Sequence, residues 1–368
     1  MKILILGDVS PRETTNGLFK VGDVEALFSD TRELFRGKDL CFINLECALT
    51  ESTGAIKKFG PNLKGCTETA GVLAELGVTV CGLSNNHIFD YGIQGYRDTV
   101  AALDAAGIAY TGFGEDYEDS RKNYIFEKNG EKIAIIAVCE REYSYALPDR
   151  MGSRPFDPYD TMDDIRSCKS ECDKVIVLYH GGKEYCKYPS PRLHRLAHAA
   201  AEAGADLFVT QHSHCIGCYE KYLNCHILYG QGNFHFIFPS YVDKVGQGAS
   251  GWGSCLAIEY DTEDGTVRFT PIVERDERGI TLAKGEAKER INREFAESSA
   301  RLTDGTWRDG WHEFAESKRN LYTNVIKNAY TADAGERENN LFAHYLDCEA
   351  HTDVWREHFP TYNSTNEK

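Results

Sequence analysis

Asp8, Asn44, Glu46, Asn85, Asn86, His87, His180, His212 and His214 share one placement in the chain. Each ends or follows a short apolar run: Asp8 after KILILG, Asn44 and Glu46 in CFINLE, the next three in SNNHIFDYG, His180 after VIVLY, and the last two in VTQHSH. Taken singly, an Asp, Asn or His past a strand is a turn former or a helix cap. Together they form the carboxylate, amide and imidazole donor set of borderline divalent cations such as Zn, Mn or Fe, and two bridged ions of that kind make a hydrolytic centre. The HSH run is the sharpest piece, because alternate residues leaving a strand present two imidazoles to adjacent ions if the backbone bends there.

Convergence of these residues requires strands that end at a common edge. The first part of the chain alternates β-branched runs with helical patterns: KILIL, a helix near 24–35, LCFIN, a helix near 67–76, VTVCGL and a helix near 96–106, the rhythm of an α/β fold. Asn129-Gly130 between two apolar runs signals a hairpin and an antiparallel element. KVIVLYH, a helix near 191–203, LFVTQH and HILYGQGNF repeat the scheme, and SCLAIEYD and VRFTPIVE flank an Asp-Gly turn. Two facing sheets with outer helices account for this count. In such sheets ligands gather outside the carboxyl ends of the strands. From about Ala283 the sequence turns charged and helix-favouring, so the organisation expected is a domain over 1–282 and a helical C-terminal region over 283–368, ending in a polar, frayed TYNSTNEK.

The bulk composition removes several function classes. The 368 residues are 42% hydrophobic and 27% charged, an ordinary globular balance. The net charge of -16 disfavours nucleic acid. A polyanionic substrate would feel the same repulsion unless metal ions or a local basic cluster reverse it in the cleft; Lys57, Lys58 and Lys64 form the one basic loop among the early motifs. No apolar run approaches the roughly 18 residues of a spanning helix, so no integral membrane segment is expected. Thirteen cysteines scattered through apolar segments fit buried thiols in a reducing cytoplasm. Cys215, Cys218, Cys225 and His226 also carry a zinc-like spacing, a minor alternative.

Other polar residues sit near the same edge. HGGKEY adds Lys183 and Glu184 at the rim after two glycines, with Glu184 an extra ligand, an acid or simply half of a surface ion pair. GQGNF places Asn233 beside the cleft or in a turn, and GWGSC and the C-terminal tryptophans line a polymer groove or pack helices. His194, His198, His344, His351 and His358 lie in helical patterns and receive no role.

The ordered set LGDVS, NLE, SNNHIFDYG, HGGKEY, QHSH and GNF resembles that of the bacterial capsule biosynthesis proteins of the CapA, poly-gamma-glutamate synthesis type, whose fold is similar to calcineurin-like metallophosphoesterases. The resemblance covers about residues 1–274. It implies a four-layer α/β/β/α metallophosphatase-like sandwich, carrying the helical appendage, and one or two divalent ions (Mn, Fe or Zn) held by Asp8, Glu46, Asn86, His180, His212 and His214, with Glu46 bridging. It further implies His87 as proton donor or acceptor, oriented by Asp90; beside these, the residues themselves make Glu184 a catalytic candidate and Asn44, Asn85, Lys183 and Asn233 substrate contacts. The chain departs from the phosphoesterase pattern at Ser10, where Asp-x-His is expected, at Glu46 in place of a bridging Asp, and at Gln211 in GHxH. The function expected is a metal-dependent hydrolase acting on an anionic small molecule or polymer, either a phosphoester or a γ-glutamyl amide. The alternative is a non-catalytic factor that binds an anionic capsule polymer or precursor.

Overall fold

The computed structural model describes residues 1–238 and 253–359. Trp252 of GWGSC and the terminal TYNSTNEK lie outside the described residues.

Two sheets face each other. The eight-stranded sheet runs in the order Ile280–Leu282, Thr266–Glu274, Ser254–Asp261, Lys2–Val9, Leu40–Leu45, Val80–Gly82, Ala109–Thr111, with Asn233–His235 also pairing with Lys2–Val9. The six-stranded sheet runs Ile216–Tyr222, Cys225–Gln231, Leu207–Gln211, Lys174–His180, Glu131–Cys139, Tyr124–Lys128. The inner strands of both are parallel; antiparallel strands close both edges of the six-stranded sheet and one edge of the eight-stranded sheet, whose other edge strand, Ala109–Thr111, is parallel.

The period-2 alternation of strand side chains explains the layering. Ile3 and Ile5 point to the core between the sheets, where they meet Ile133, Ile135, Ile176 and Leu178 of the other sheet. Leu4 and Leu6 point the opposite way, into a core shared with helices such as Thr69–Leu76. In the second sheet Ala134, Ile136 and Val138 pack under the helices Pro158–Glu171 and Pro191–Ala203. Strands buried on both faces read as continuous apolar runs for this reason. The result is the four-layer α/β/β/α sandwich.

Local signals set several boundaries. The hairpin at Asn129-Gly130 forms with both residues at positive φ, 55° and 82°. Pro191 opens its helix behind Ser190, whose hydroxyl accepts from Leu193 N. The helix expected near 24–35 breaks in two: Val24–Phe28 is α-helical, Ser29 turns to φ 43°, and Ser29–Phe35 continues as a 3-10 helix.

After Leu282 come five helices, Gly285–Asp304, Trp307–Ser317, Arg319–Ala329, Glu336–Asp347 and Glu349–His358. They enclose their own apolar cluster around Trp311, Tyr322, Tyr345 and Val354, which reaches Cys186 of the sandwich. Trp307 instead joins the core under Pro191–Ala203. The zinc alternative for the cysteines does not hold: Cys218 and Cys225 point into an apolar core, while the His226 ring contacts Tyr219 OH and Gly265 O. Neighbouring strand residues face opposite ways, so this spacing cannot close on one ion. All thirteen cysteines are free and buried.

Candidate metal centre

Strand register brings the residues together. Asp8 sits beside Asn44 on one neighbouring strand and Asn233 on the other. In the second sheet His180 sits beside Gln211 and Cys139, so the segments that follow, 212–214 and 140–142, leave at the same edge. Gly7 lets the first strand come this close: a Cβ there would lie 1.9 Å from Gly232 O.

Glu46 is fully buried, and neither carboxylate oxygen has a hydrogen-bond partner among the described residues. An unpaired buried carboxylate is costly, so its surroundings must supply positive charge. Those surroundings are donor atoms. Glu46 Oε1 lies 3.4 Å from His180 Nε2 and 3.9 Å from His214 Nε2. His180 Nε2 is also 3.0 Å from Asn86 Oδ1 and 3.2 Å from His212 Nδ1. Donors on one ion with bonds near 2.1 Å stand about 3 Å apart, which is the spacing around His180. Glu46 belongs to both compact groups, one with Asp8 and His180 and one with His212 and His214. Each group offers a donor set that could hold a divalent cation, and Glu46 is common to both.

The surrounding residues orient these donors. Asp8 accepts from Asn44 Nδ2 (2.7 Å) and His212 N (3.1 Å). Asn233 Oδ1 is 2.8 Å from His214 Nδ1, which leaves Nε2 of that ring facing Glu46. His212 and His214 both adopt positive φ, 82° and 53°, the backbone bend that turns two alternate imidazoles toward one place. Burial and then the Glu46 charge raise the Asp8 carboxyl to about 6. Burial and the neighbouring His212 depress His180 to about 3, keeping it a neutral ligand. Burial opposes charge on His212 too, yet Glu142, Glu184 and Glu46 outweigh it and raise that imidazole to about 10.

Glu142 escaped the reading of the sequence. It accepts from Asn86 Nδ2 (3.1 Å) and lies 3.3 Å from His212 Nε2, so one carboxylate aligns two candidate ligands. The available signal was the strand Glu131–Cys139, a further strand end carrying a carboxylate three residues on.

His87 stands at the opening. Its Nδ1 is 2.7 Å from Asp90 Oδ2, and Asp90 also accepts from Leu63 N and pairs with Lys58. Lys58 Nζ also lies 3.1 Å from Nδ1; with its proton on Nδ1 the ring donates to Asp90 and keeps Nε2 free. Asn44 and Asn85, expected to touch substrate, direct their amides inward: Asn44 bridges Asp8 and His180, and Asn85 binds Leu45 O, Asn44 Oδ1 and the His87 and Ile88 amides. Both position the site from beneath. Asn233 likewise orients His214.

The cleft above has a volume of about 380 Å³ and is lined by Lys183 and Glu184 as expected. Burial opposes charge on Lys183, but Glu184 ahead of other neighbours outweighs it and raises the ammonium pKa above its ordinary value. Arg12, Lys58 and Lys318 complete a cationic lining in an otherwise acidic molecule. Tyr322, Tyr345 and His351 of the C-terminal helices form its far wall. No spacing in the sequence announced that wall.

The sequence pattern described as bacterial capsule synthesis protein PGA_cap matches residues 2–238. The chain belongs to this family. It is 35% identical over 182 residues to the capsule biosynthesis protein CapA of Bacillus anthracis, covering 48% of this chain and 44% of that protein. It is 29% identical over 308 residues to the PGA biosynthesis protein CapA of Bacillus subtilis (strain 168), covering 80% of this chain and 77% of that one. Among solved structures it is similar to a protein from Staphylococcus aureus described as a candidate 5'-nucleotidase (13% identity, 80% of this chain and 58% of that one, TM-score 0.44) and to a hypothetical protein of Thermus thermophilus (18%, 77% and 98%, TM-score 0.42). None of the described helices is long and apolar enough to cross a membrane.

Proposed function

We propose that this capsule synthesis family member is a metal-dependent hydrolase of an anionic envelope or capsule-type substrate, a phosphoester or a γ-glutamyl amide. The observation that carries this reading is Glu46, buried with both oxygens unpartnered among imidazoles from the strand ends. The shortest spacings divide these donors differently from the two compact groups: Asn86, His212 and Glu46, at 3.0, 3.2 and 3.4 Å from His180 Nε2, would hold one ion with His180, and Asp8 and Glu46, at 3.6 and 3.9 Å from the His214 ring, would hold the other with His214. Ions there supply Lewis acidity toward a substrate oxygen and toward water. His87, its Nδ1 donating to Asp90, offers Nε2 to a proton on the leaving group. Lys183, Arg12 and Lys318 attract and hold the anion, while Glu184 sits beside Lys183 as an acid or a charge partner. Thirteen buried free thiols favour a reducing compartment, the cytoplasm, and the catalytic unit would be residues 1–282, with the described helices between Gly285 and His358 as its cover.

One observation favours the second reading, a factor that binds an anionic capsule precursor without turning it over. On the Asp8 side, Ser10 stands where an imidazole is expected, which leaves that ion three protein donors. Metal content after loading with Mn, Fe or Zn, together with turnover of p-nitrophenyl phosphate, bis-p-nitrophenyl phosphate and γ-glutamyl p-nitroanilide, separates the two. Stoichiometric metal with divalent-dependent turnover supports the hydrolase; anion binding without turnover in every loaded form supports the factor.

A further inference from the structure

A second group of donors lies outside the cleft. His194 and His198 are four residues apart on the helix Pro191–Ala203, so both imidazoles leave one helix face. The strand Ile216–Tyr222 presents Glu220 to them: Oε1 lies 2.9 Å from His198 Nε2 and 3.4 Å from His194 Nε2. The three donor atoms all lie within 4.8 Å of one another. Ligands on a tetrahedral ion with bonds of about 2.0–2.1 Å are separated by about 3.3 Å, so an ion fits with small rotations of the side chains.

We propose that His194, His198 and Glu220 form a separate Zn²⁺ site that clasps the helix Pro191–Ala203 to the strand Ile216–Tyr222. Two imidazoles and one carboxylate are a zinc-type donor set that leaves a fourth position for water. The site is built rather than casual. His198 stacks on Tyr222 at 3.7 Å and His194 on Trp307 at 4.7 Å, fixing both rings, and Tyr229 OH donates to Glu220 Oε1 at 2.8 Å. Outer contacts of this kind orient ligands and strengthen binding. The side chains are 17–21% exposed, open enough for an ion to enter from solvent. The Arg308 charge nearby opposes a cation, and the Glu220 carboxylate offsets it. Because Trp307 belongs to the C-terminal helices, an ion here also braces the ring on which they rest.

The test uses the full chain, stripped by chelator and equilibrated with Zn²⁺ at fixed micromolar free concentration. Bound zinc per chain is compared in wild type, His198→Gln, Glu220→Gln and His214→Ala. The expected result is one zinc fewer in each of the first two variants than in wild type, and a zinc-dependent rise in melting temperature that is smaller in Glu220→Gln than in wild type, because only the cleft still binds. Equal zinc content in wild type and folded Glu220→Gln overturns the proposal and leaves the group a hydrogen-bonded clasp. If both variants fail to fold, Co²⁺ added to a chain carrying His180→Ala, His212→Ala and His214→Ala, which removes the imidazoles of the cleft, decides: intense visible absorption of a four-coordinate ion supports the site, and its absence overturns it.

Discussion

At Glu142 one carboxylate contacts the amide of Asn86 and the ring of His212, and an exchange that removes its charge weakens both contacts. Glu142→Gln is expected to weaken binding of the ion at His180 and His212 by about 10–100-fold, read by metal titration. His87 acts on a different quantity. His87→Ala is expected to lower turnover by about 10²–10⁴-fold while bound metal stays constant; a parallel loss of metal would move His87 among the ligands. The contrast between these residues explains what could be read in advance. Asp8, His180 and His214 each follow an apolar run and carry a donor type, so their placement is local and legible. Glu142 lacks a motif, and its role exists only because Cys139 lies in register beside His180. Asn44 and Asn85 were legible as site residues, but their direction, inward to Asp8 and Leu45 O, depends on packing that spacing does not encode.

The strand is the unit that sets site geometry, and its glycines and edges carry the sensitive positions. Gly7→Ala puts a methyl group 1.9 Å from Gly232 O, where only backbone can give way. The strands bearing Asp8 and Asn233 must then separate, at a cost of about 1–3 kcal/mol or more, measured by chemical denaturation. Glu274, at the end of Thr266–Glu274, is pushed up to about 7 by burial, and one of its oxygens has no hydrogen-bond partner among the described residues. The folded chain holds that proton while the unfolded chain releases it, so ionisation costs native stability as pH climbs from about 4.5 to about 7. Glu274→Gln removes the cost: it is expected to stabilise by about 1–3 kcal/mol at pH 8 and to change nothing near pH 4, by thermal melts at both. Element existence follows from the same simple physics. Short β-branched apolar runs gave the strands, Asn129-Gly130 the hairpin and Pro191 a helix start; the break at Ser29 has no such marker, because serine is not a residue type that announces a positive φ.

Across the whole molecule the question is what holds the C-terminal helices against the cleft they wall. Arg192 pairs with Glu140 (2.5 Å) and Asp353 (2.9 Å), and Ser190 Oγ donates to Asp353. Ala350 N donates to Glu140, Arg141 pairs with Glu349, and Cys348 Sγ donates to Glu142 at 3.3 Å. A single chain of contacts thus runs from the last helix to the carboxylate behind His212. Arg192→Met would strand Glu140 and Asp353, both nearly fully buried, as unpaired charges facing one another. Breaking such a pair costs about 3–5 kcal/mol, and the least costly escape is release of the helix Glu349–His358, which lets both carboxylates reach water. The variant is therefore expected to keep the sandwich, seen as unchanged sheet signal in circular dichroism, while the C-terminal helices become sensitive to protease. Their release removes Lys318 and Tyr345 from the cleft wall, so the KM for an anionic substrate should rise more than kcat falls. Unaltered protease resistance would show that the apolar contacts around Trp311 and Tyr322 hold the helices unaided, and that the ion-pair network serves the alignment of Glu142 instead.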